Sequence, residues 1–262
     1  MMKKMKIISG NCILEDLDTS IKTAEKLKDF SKKYDFDLVY KSSFRKDNRS
    51  SEKYYTGPSL ENSIKIFKHL KNKLGVELIT DFHNLYEVET EISDVVDMLQ
   101  IPAYLCMQTE LVLKIANVGK PVNIKKGQFL HPEDVQKVVK KVESTGNKNI
   151  TITERGTCFG YRDLVVDPRS FLYLKSFGYP VFFDAGHSIR KYGVPSSDLK
   201  SGGTKEFINI LAKSAIAAGV DGIFIEVHPK PNIAKCDAAT QLSFNEFEKL
   251  IKEIKPIWEA VR

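Results

Sequence analysis

The chain has 262 residues, 42% of them hydrophobic and 28% charged, with a formal net charge of +6. This composition belongs to compact folded proteins and excludes disordered, collagen-like and mucin-like chains. Many lysines alternate with Glu and Asp along helical stretches such as Lys22 to Lys33 and Glu246 to Lys255, so the positive excess reads as solvated helix faces and no nucleic-acid partner is expected.

Met1 to Ser9 carries Lys3, Lys4 and Lys6, but the apolar stretch that follows is only Ile7 and Ile8, too short for a signal peptide. No later run approaches the roughly 18 apolar residues needed to cross a bilayer. A cytoplasmic protein with no membrane partner is the expectation. Short apolar, β-branched runs then recur, and they predict strands over Lys6 to Cys12, Asp37 to Phe44, Glu77 to His83 and Val95 to Ala103. Four more follow over Val122 to Gly127, Ile150 to Gly156, Val181 to Ser188 and Gly222 to Pro229. Amphipathic stretches with helix signals separate them, including Pro58 to Gly75, Pro132 to Gly146, Thr204 to Ala218 and Ser243 to Val261. Regular alternation implies a parallel sheet, and the length suits a single α/β catalytic domain over 1–262, a (β/α)8 TIM barrel. A doubly wound open sheet is the alternative. Ser9-Gly10-Asn11-Cys12 after the first strand is no dinucleotide fingerprint, which weakens it.

Barrels build their catalytic face from the carboxyl ends of the strands, and the reactive residues fall there. Cys12 ends the first predicted strand, Lys41 and Lys46 follow the second, Asp81 and His83 end the third, and Gln108 follows the fourth. Lys125, Arg155, His187 and Glu226 with His228 complete the circuit. Closure would place strand eight beside strand one, so Cys12, His187 and Glu226 can converge, with Asp237 from the following loop as a fourth ligand. Thiolate, imidazole and two carboxylates suit a divalent iron, zinc or manganese ion. Taken alone, a cysteine on an apolar strand is more often a buried structural residue. The four cysteines, Cys12, Cys106, Cys158 and Cys236, show no paired spacing, and reduced thiols are expected.

A second constellation is cationic: Lys41, Lys46, Arg49, Lys125, Lys126 and Arg155 belong to the same rim. It favours an anionic, phosphorylated ligand, although Lys126 and Arg45 read equally well as surface-loop charges. The side chain of Lys126 should face away from that of Lys125. The connections Ser42 to Gly57, Ile189 to Gly203 and Lys230 to Leu242 have the length of lids or binding loops.

Several motifs in order resemble the 3-deoxy-D-manno-octulosonate 8-phosphate synthase family, kin of the synthases that make the first shikimate-pathway heptulosonate. They are Lys41-Ser-Ser-Phe-Arg-Lys-Asp-Asn-Arg-Ser-Ser51, Leu99-Gln-Ile-Pro-Ala103, Asn123-Ile-Lys-Lys-Gly-Gln-Phe129, Thr153-Glu-Arg-Gly156 with Phe159-Gly-Tyr161, Phe183-Asp-Ala-Gly-His-Ser188 and Glu226-Val-His-Pro229. The resemblance implies condensation of phosphoenolpyruvate with arabinose 5-phosphate and water, releasing inorganic phosphate. It implies Lys41, Ser43, Lys46, Gln108, Lys125 and Arg155 as phosphoenolpyruvate ligands, and Asn48, Arg49 and Ser50 as holders of the sugar and its phosphate. Asp81 joins the substrate-binding set and His187 the catalytic one. Gly10-Asn11-Cys12-Ile13 aligns with the metal-dependent class, Cys12 on its cysteine and Asn11 on a usual proline. A homotetramer serving lipopolysaccharide biosynthesis is also implied.

The motifs depart from the family at the sugar end. Met107 and Thr56 stand where arginines are usual, Arg45 where Asp is usual, Asp47 where Ala is usual, and Lys205 where Arg is more frequent. A related synthase using erythrose 4-phosphate or an amino sugar is the alternative activity, and a catalytically dead barrel kept for binding is the alternative class. If the sugar phosphate leans on Arg49 for want of those arginines, Met107→Arg is expected to tighten sugar binding.

Overall fold

The sequence builds eight short strands in this computed structural model, which describes residues 4–158, 160, 162–191, 193–195 and 200–262. They are β1 (Met5–Gly10), β2 (Phe36–Lys41), β3 (Glu77–Asp81), β4 (Met98–Ile101), β5 (Val122–Lys125), β6 (Ile150–Glu154), β7 (Val181–Asp184) and β8 (Gly222–Glu226). All neighbours pair in parallel, and β8 closes against β1 in the register Gly10↔Glu226. This is the (β/α)8 barrel expected from the alternation. A strand of such a sheet is covered on both faces, which is why runs like Ile7-Ile8 and Ile223-Phe224-Ile225 are apolar without alternation.

Inside the barrel, Ile8, Val39, Ile79, Met98, Phe182 and Phe224 form their own apolar plug. The larger cluster lies between the strands and the outer helices. Those helices are α1 (Leu17–Tyr34), α2 (Leu60–Leu74), α3 (Leu85–Val88), α4 (Glu91–Val95), α5 (Thr109–Asn117), α6 (Val135–Glu143), α7 (Arg169–Lys175), α8 (Glu206–Ala217) and α9 (Phe244–Ala260). Their ends follow local chemistry. Asp16 and Ser59 accept hydrogen bonds from the N–H groups of Thr19 and Asn62, and Ser243 with Glu246 closes a reciprocal capping box. Gly75 ends α2 in the left-handed conformation. Two short helices, α3 and α4, stand where one longer helix would serve the third βα unit.

The predicted strands begin close to where the real ones do but run past their carboxyl ends. Lys6 to Cys12 stops at Gly10, Val181 to Ser188 stops at Asp184, and Val95 belongs to α4. At the mouth the chain leaves the sheet while staying buried, so hydrophobicity continues after pairing ends. Gly10 marks the tightest point, since a Cβ there would sit 2.1 Å from the Lys41 carbonyl oxygen. The close approach of β1 to β2 therefore requires glycine just before Asn11 and Cys12. Among the described residues no helix is long and apolar enough to cross a membrane. Phe159 and Tyr161 of the sequence motif, and residues 192 and 196–199 of the loop after β7, lie outside the described residues.

Candidate active site

The carboxyl ends of the strands surround a cavity of about 290 Å³. It is lined by Lys41 from β2, Lys46, Asn48, Arg49 and Ser50 from the following loop, Asp81 from β3, Gln100 from β4 and Lys125 from β5. Arg155, His187, Arg190, Glu226 and Asp237 line the opposite arc, with Pro102, Ala103, Tyr104 and Phe224 as apolar walls. Most of the candidate residues are thus gathered in one place. Ser43, Gln108 and Cys12 do not line the cavity.

Ser43 is buried beneath it, accepting from Lys41 Nζ at 2.9 Å and donating to Asp81, which also pairs with Lys41 Nζ at 3.1 Å. Burial opposes the charge of Asp81, but Lys41 and Lys46 outweigh it and hold the carboxyl well below the usual carboxylate range. Burial likewise opposes the charge of Lys46, yet Cys12 and Asp81 push its ammonium well above the usual range. Across the mouth, Lys125 pairs with Asp184 and lies 3.6 Å from the centre of the Phe224 ring. Burial draws Lys125 and Arg155 below their ordinary values, against the pull of Asp184. Cations held this dry bind an incoming phosphate or carboxylate far more strongly than surface lysines do.

The other half of the cavity collects metal-ligating atoms. His187 Nε2 lies 3.5 Å from Asp237 Oδ2 and 3.8 Å from Glu226 Oε2, and Cys12 Sγ lies 3.4 Å from Asp237 Oδ2. Both Glu226 carboxylate oxygens are buried without a hydrogen-bond partner, an expensive state unless a cation satisfies them. Asp184 accepts from the His187 backbone N–H and faces its Nδ1, both at 2.8 Å, which turns Nε2 toward the carboxylates. Asp237 has a φ of 45°, a left-handed turn that Asp tolerates better than most residues. Burial opposes its charge as well, but Arg190 and His187 hold it well below the usual carboxylate range. Burial and then Cys236 push the Cys12 thiol up. The donor set fits a divalent ion, arranged as two triads that share Asp237: His187, Glu226, Asp237 and Cys12, Cys236, Asp237.

Several sequence expectations need correction. Gln108 is an exposed residue at the start of α5 with no side-chain capping bond, and buried Gln100 reaches the cavity from β4 instead. Lys126 is fully buried, pairing with Glu154 at 3.3 Å and donating to the carbonyls of Gly127, Leu130 and Gly156, so it is a structural brace and no surface-loop charge. Arg45 is exposed and faces Glu87 at 3.6 Å. Met107 packs against the main apolar cluster and Thr56 is exposed, and neither lines the cavity. Arg190 adds a cation at the mouth that sequence reasoning missed, as it missed Asp184 and Cys236. Asp184 was signalled by its spacing before His187; for Arg190 and Cys236, both on loops, no local pattern gives the direction.

The DAHP synthetase I family pattern matches residues 2–260. Over 256 residues the chain is 44% identical to the 2-dehydro-3-deoxyphosphooctonate aldolase of Protochlamydia amoebophila (strain UWE25), covering 98% of this chain and 92% of the relative. The proteins of the same name from Geobacter sp. (strain M21) and Magnetococcus marinus are 42% and 44% identical, each across 97% of this chain and 92% and 87% of their own.

Proposed function

The chain belongs to the DAHP synthetase I family, and from that membership and the cavity we infer that it condenses phosphoenolpyruvate with arabinose 5-phosphate and water, giving 3-deoxy-D-manno-octulosonate 8-phosphate and inorganic phosphate. The observation that carries this reading is a single barrel mouth in which Lys41, Lys46, Arg49, Lys125, Arg155 and Arg190 face a buried Cys, His and carboxylate cluster. One half suits two phosphorylated substrates and the other a divalent metal.

Lys125 and Arg155, with Lys41 and Lys46 opposite, hold the carboxylate and phosphate of phosphoenolpyruvate. Asn48, Arg49 and Ser50, on the loop after β2, hold the sugar and its phosphate, and Arg190 adds a second cation at the same mouth. The methylene carbon bonds to the aldehyde carbon, water adds at the enol carbon, and loss of phosphate leaves the keto group. Positive charge already fixed around the site stabilises the developing anionic oxygens without reorganisation. Asp184 keeps a proton on His187 Nδ1, so that Nε2 faces the cavity as a ligand or acceptor. An iron, zinc or manganese ion held by Cys12, His187, Glu226 and Asp237 would supply Lewis-acid or template chemistry to the aldehyde or the water.

Family resemblance further supports a cytoplasmic homotetramer that feeds lipopolysaccharide synthesis. Leu172 and Tyr173 of α7 and Phe207 and Ile210 of α8 are exposed apolar residues available for subunit contacts. The test of the reaction is phosphate release from phosphoenolpyruvate across a panel of aldose phosphates. Arabinose 5-phosphate should give the highest kcat/KM, and a clear preference for erythrose 4-phosphate or an amino sugar would overturn the assignment.

A further inference from the structure

Cys236 has no part in the four-ligand metal site or the reaction proposed above, yet it is completely buried beside the metal donors. Its Sγ lies 2.8 Å from Cys12 Sγ. Gln241, itself buried, ties the two cysteines together, accepting from the Cys12 N–H at 3.1 Å and donating to the Cys236 carbonyl at 2.7 Å. The Thr240 and Gln241 N–H groups both bond the Asp237 carbonyl, fixing the turn that delivers Cys236 and Asp237 to the same point.

We propose that Cys236 is a further metal ligand, so that the centre carries two thiolates, Cys12 and Cys236, together with Asp237, His187 and Glu226. Donors sharing one ion through bonds of about 2.0 to 2.3 Å lie within roughly 4.6 Å of one another. The Cys12, Cys236 and Asp237 donor atoms all lie within 4.8 Å, as do those of His187, Glu226 and Asp237. Asp237 Oδ2, near both Cys12 Sγ and His187 Nε2, is the hinge between the two sets. Two thiols are weak hydrogen-bonding partners and gain little from such proximity in a buried site; a shared cation would bind both as thiolates about 3.8 Å apart, so the two sulfurs would part by about 1 Å on loading. Arg49 Nη1, 2.7 Å from Cys236 Sγ, offsets the additional negative charge. A second sulfur makes the centre softer, favouring zinc or ferrous iron over manganese or magnesium.

This inference rests on the metal-centre reading, and the experiment separates the two. The chelated, reduced full-length protein is titrated with Co²⁺, and the sulfur-to-cobalt charge-transfer absorption is recorded for the unaltered chain, Cys12→Ser and Cys236→Ser. Each substitution should remove about half of the band, one thiolate of two. X-ray absorption on the unaltered Zn²⁺ protein, which needs no variant to fold, should count two sulfur neighbours. A full band in Cys236→Ser with none in Cys12→Ser, or a single sulfur neighbour, overturns the role of Cys236 and leaves the metal centre standing. Absence of Co²⁺ binding by the unaltered chain overturns both. A Cys12–Cys236 disulfide in the metal-loaded protein also overturns the proposal.

Discussion

Adjacent lysines on one strand end should fail in different ways. Lys125 faces the cavity, whereas Lys126 is buried among Gly127, Leu130, Gly156 and Thr157 with its Nζ 3.3 Å from Glu154. Removing one partner of a buried pair costs about 3 to 5 kcal/mol. The lower end applies to Lys126→Ala, because Glu154 Oε1 also accepts from the Arg155 and Gly156 N–H groups. At about 2 to 4 °C per kcal/mol for a chain of this size, Lys126→Ala should melt roughly 6 to 12 °C lower. Asp184 likewise keeps its contacts with His187, but Lys125 lines the open cavity, where water can take the place of the lost ammonium, so Lys125→Ala should lower the melting temperature less. Its loss falls on phosphoenolpyruvate: one charge-assisted bond of about 1.5 to 3 kcal/mol corresponds to a tenfold to hundredfold fall in kcat/KM. Calorimetry and steady-state phosphate release on both variants decide the matter. Equal losses of stability and of phosphoenolpyruvate use in the two variants would refute the assignment.

Chelation should abolish turnover, and re-addition of zinc, ferrous iron or manganese should restore it; full-rate activity after metal loss confirmed by elemental analysis would make the Cys, His and carboxylate cluster structural. Asp184→Asn should weaken metal affinity by about tenfold to a hundredfold, measured by competition with a chromogenic chelator, because His187 loses the carboxylate that orients it. Arg190→Ala should raise the KM for a phosphorylated substrate by roughly tenfold with the fold intact, and an unchanged KM for both substrates would place Arg190 outside the binding site. The Asp81 carboxyl sits below its unfolded value, so its contribution to stability is present above the ordinary carboxylate range and is lost progressively as pH falls through and below that range. Asp81→Asn should therefore flatten the acid limb of the unfolding free energy in urea titrations.

The barrel was legible because its strands are buried on both faces and read as short apolar runs between capped helices. Ser243 with Glu246 and Leu74-Gly75 signal their helix ends through hydrogen bonds that involve only neighbours in sequence. The strand ends were not legible, since residues such as Cys12 and Ser188 stay buried after leaving the sheet. Closure of β8 on β1 was enough to bring Cys12, His187, Glu226 and Asp237 near one another. Sequence order could not distinguish Gln100 from Gln108, because both follow or end the same strand and only the turn through Ala103–Leu105 carries the second one outward. Nor could it show that Lys126 is buried, as β5 ends one residue earlier and the next side chain packs under the loop after β6. Cys236 lay beyond any spacing rule: its neighbour Cys12 is more than 200 residues away in the chain and joined to it through Gln241.

The new carbon–carbon bond defines the reaction, and carbon-13 NMR observes it directly. Metal-loaded protein is mixed with phosphoenolpyruvate labelled at the methylene carbon and with arabinose 5-phosphate. The labelled vinyl signal should convert to a saturated methylene bonded to the former aldehyde carbon, with one phosphate released for each conversion. A vinyl signal that persists, or phosphate release accompanied by a labelled pyruvate methyl group, would contradict it.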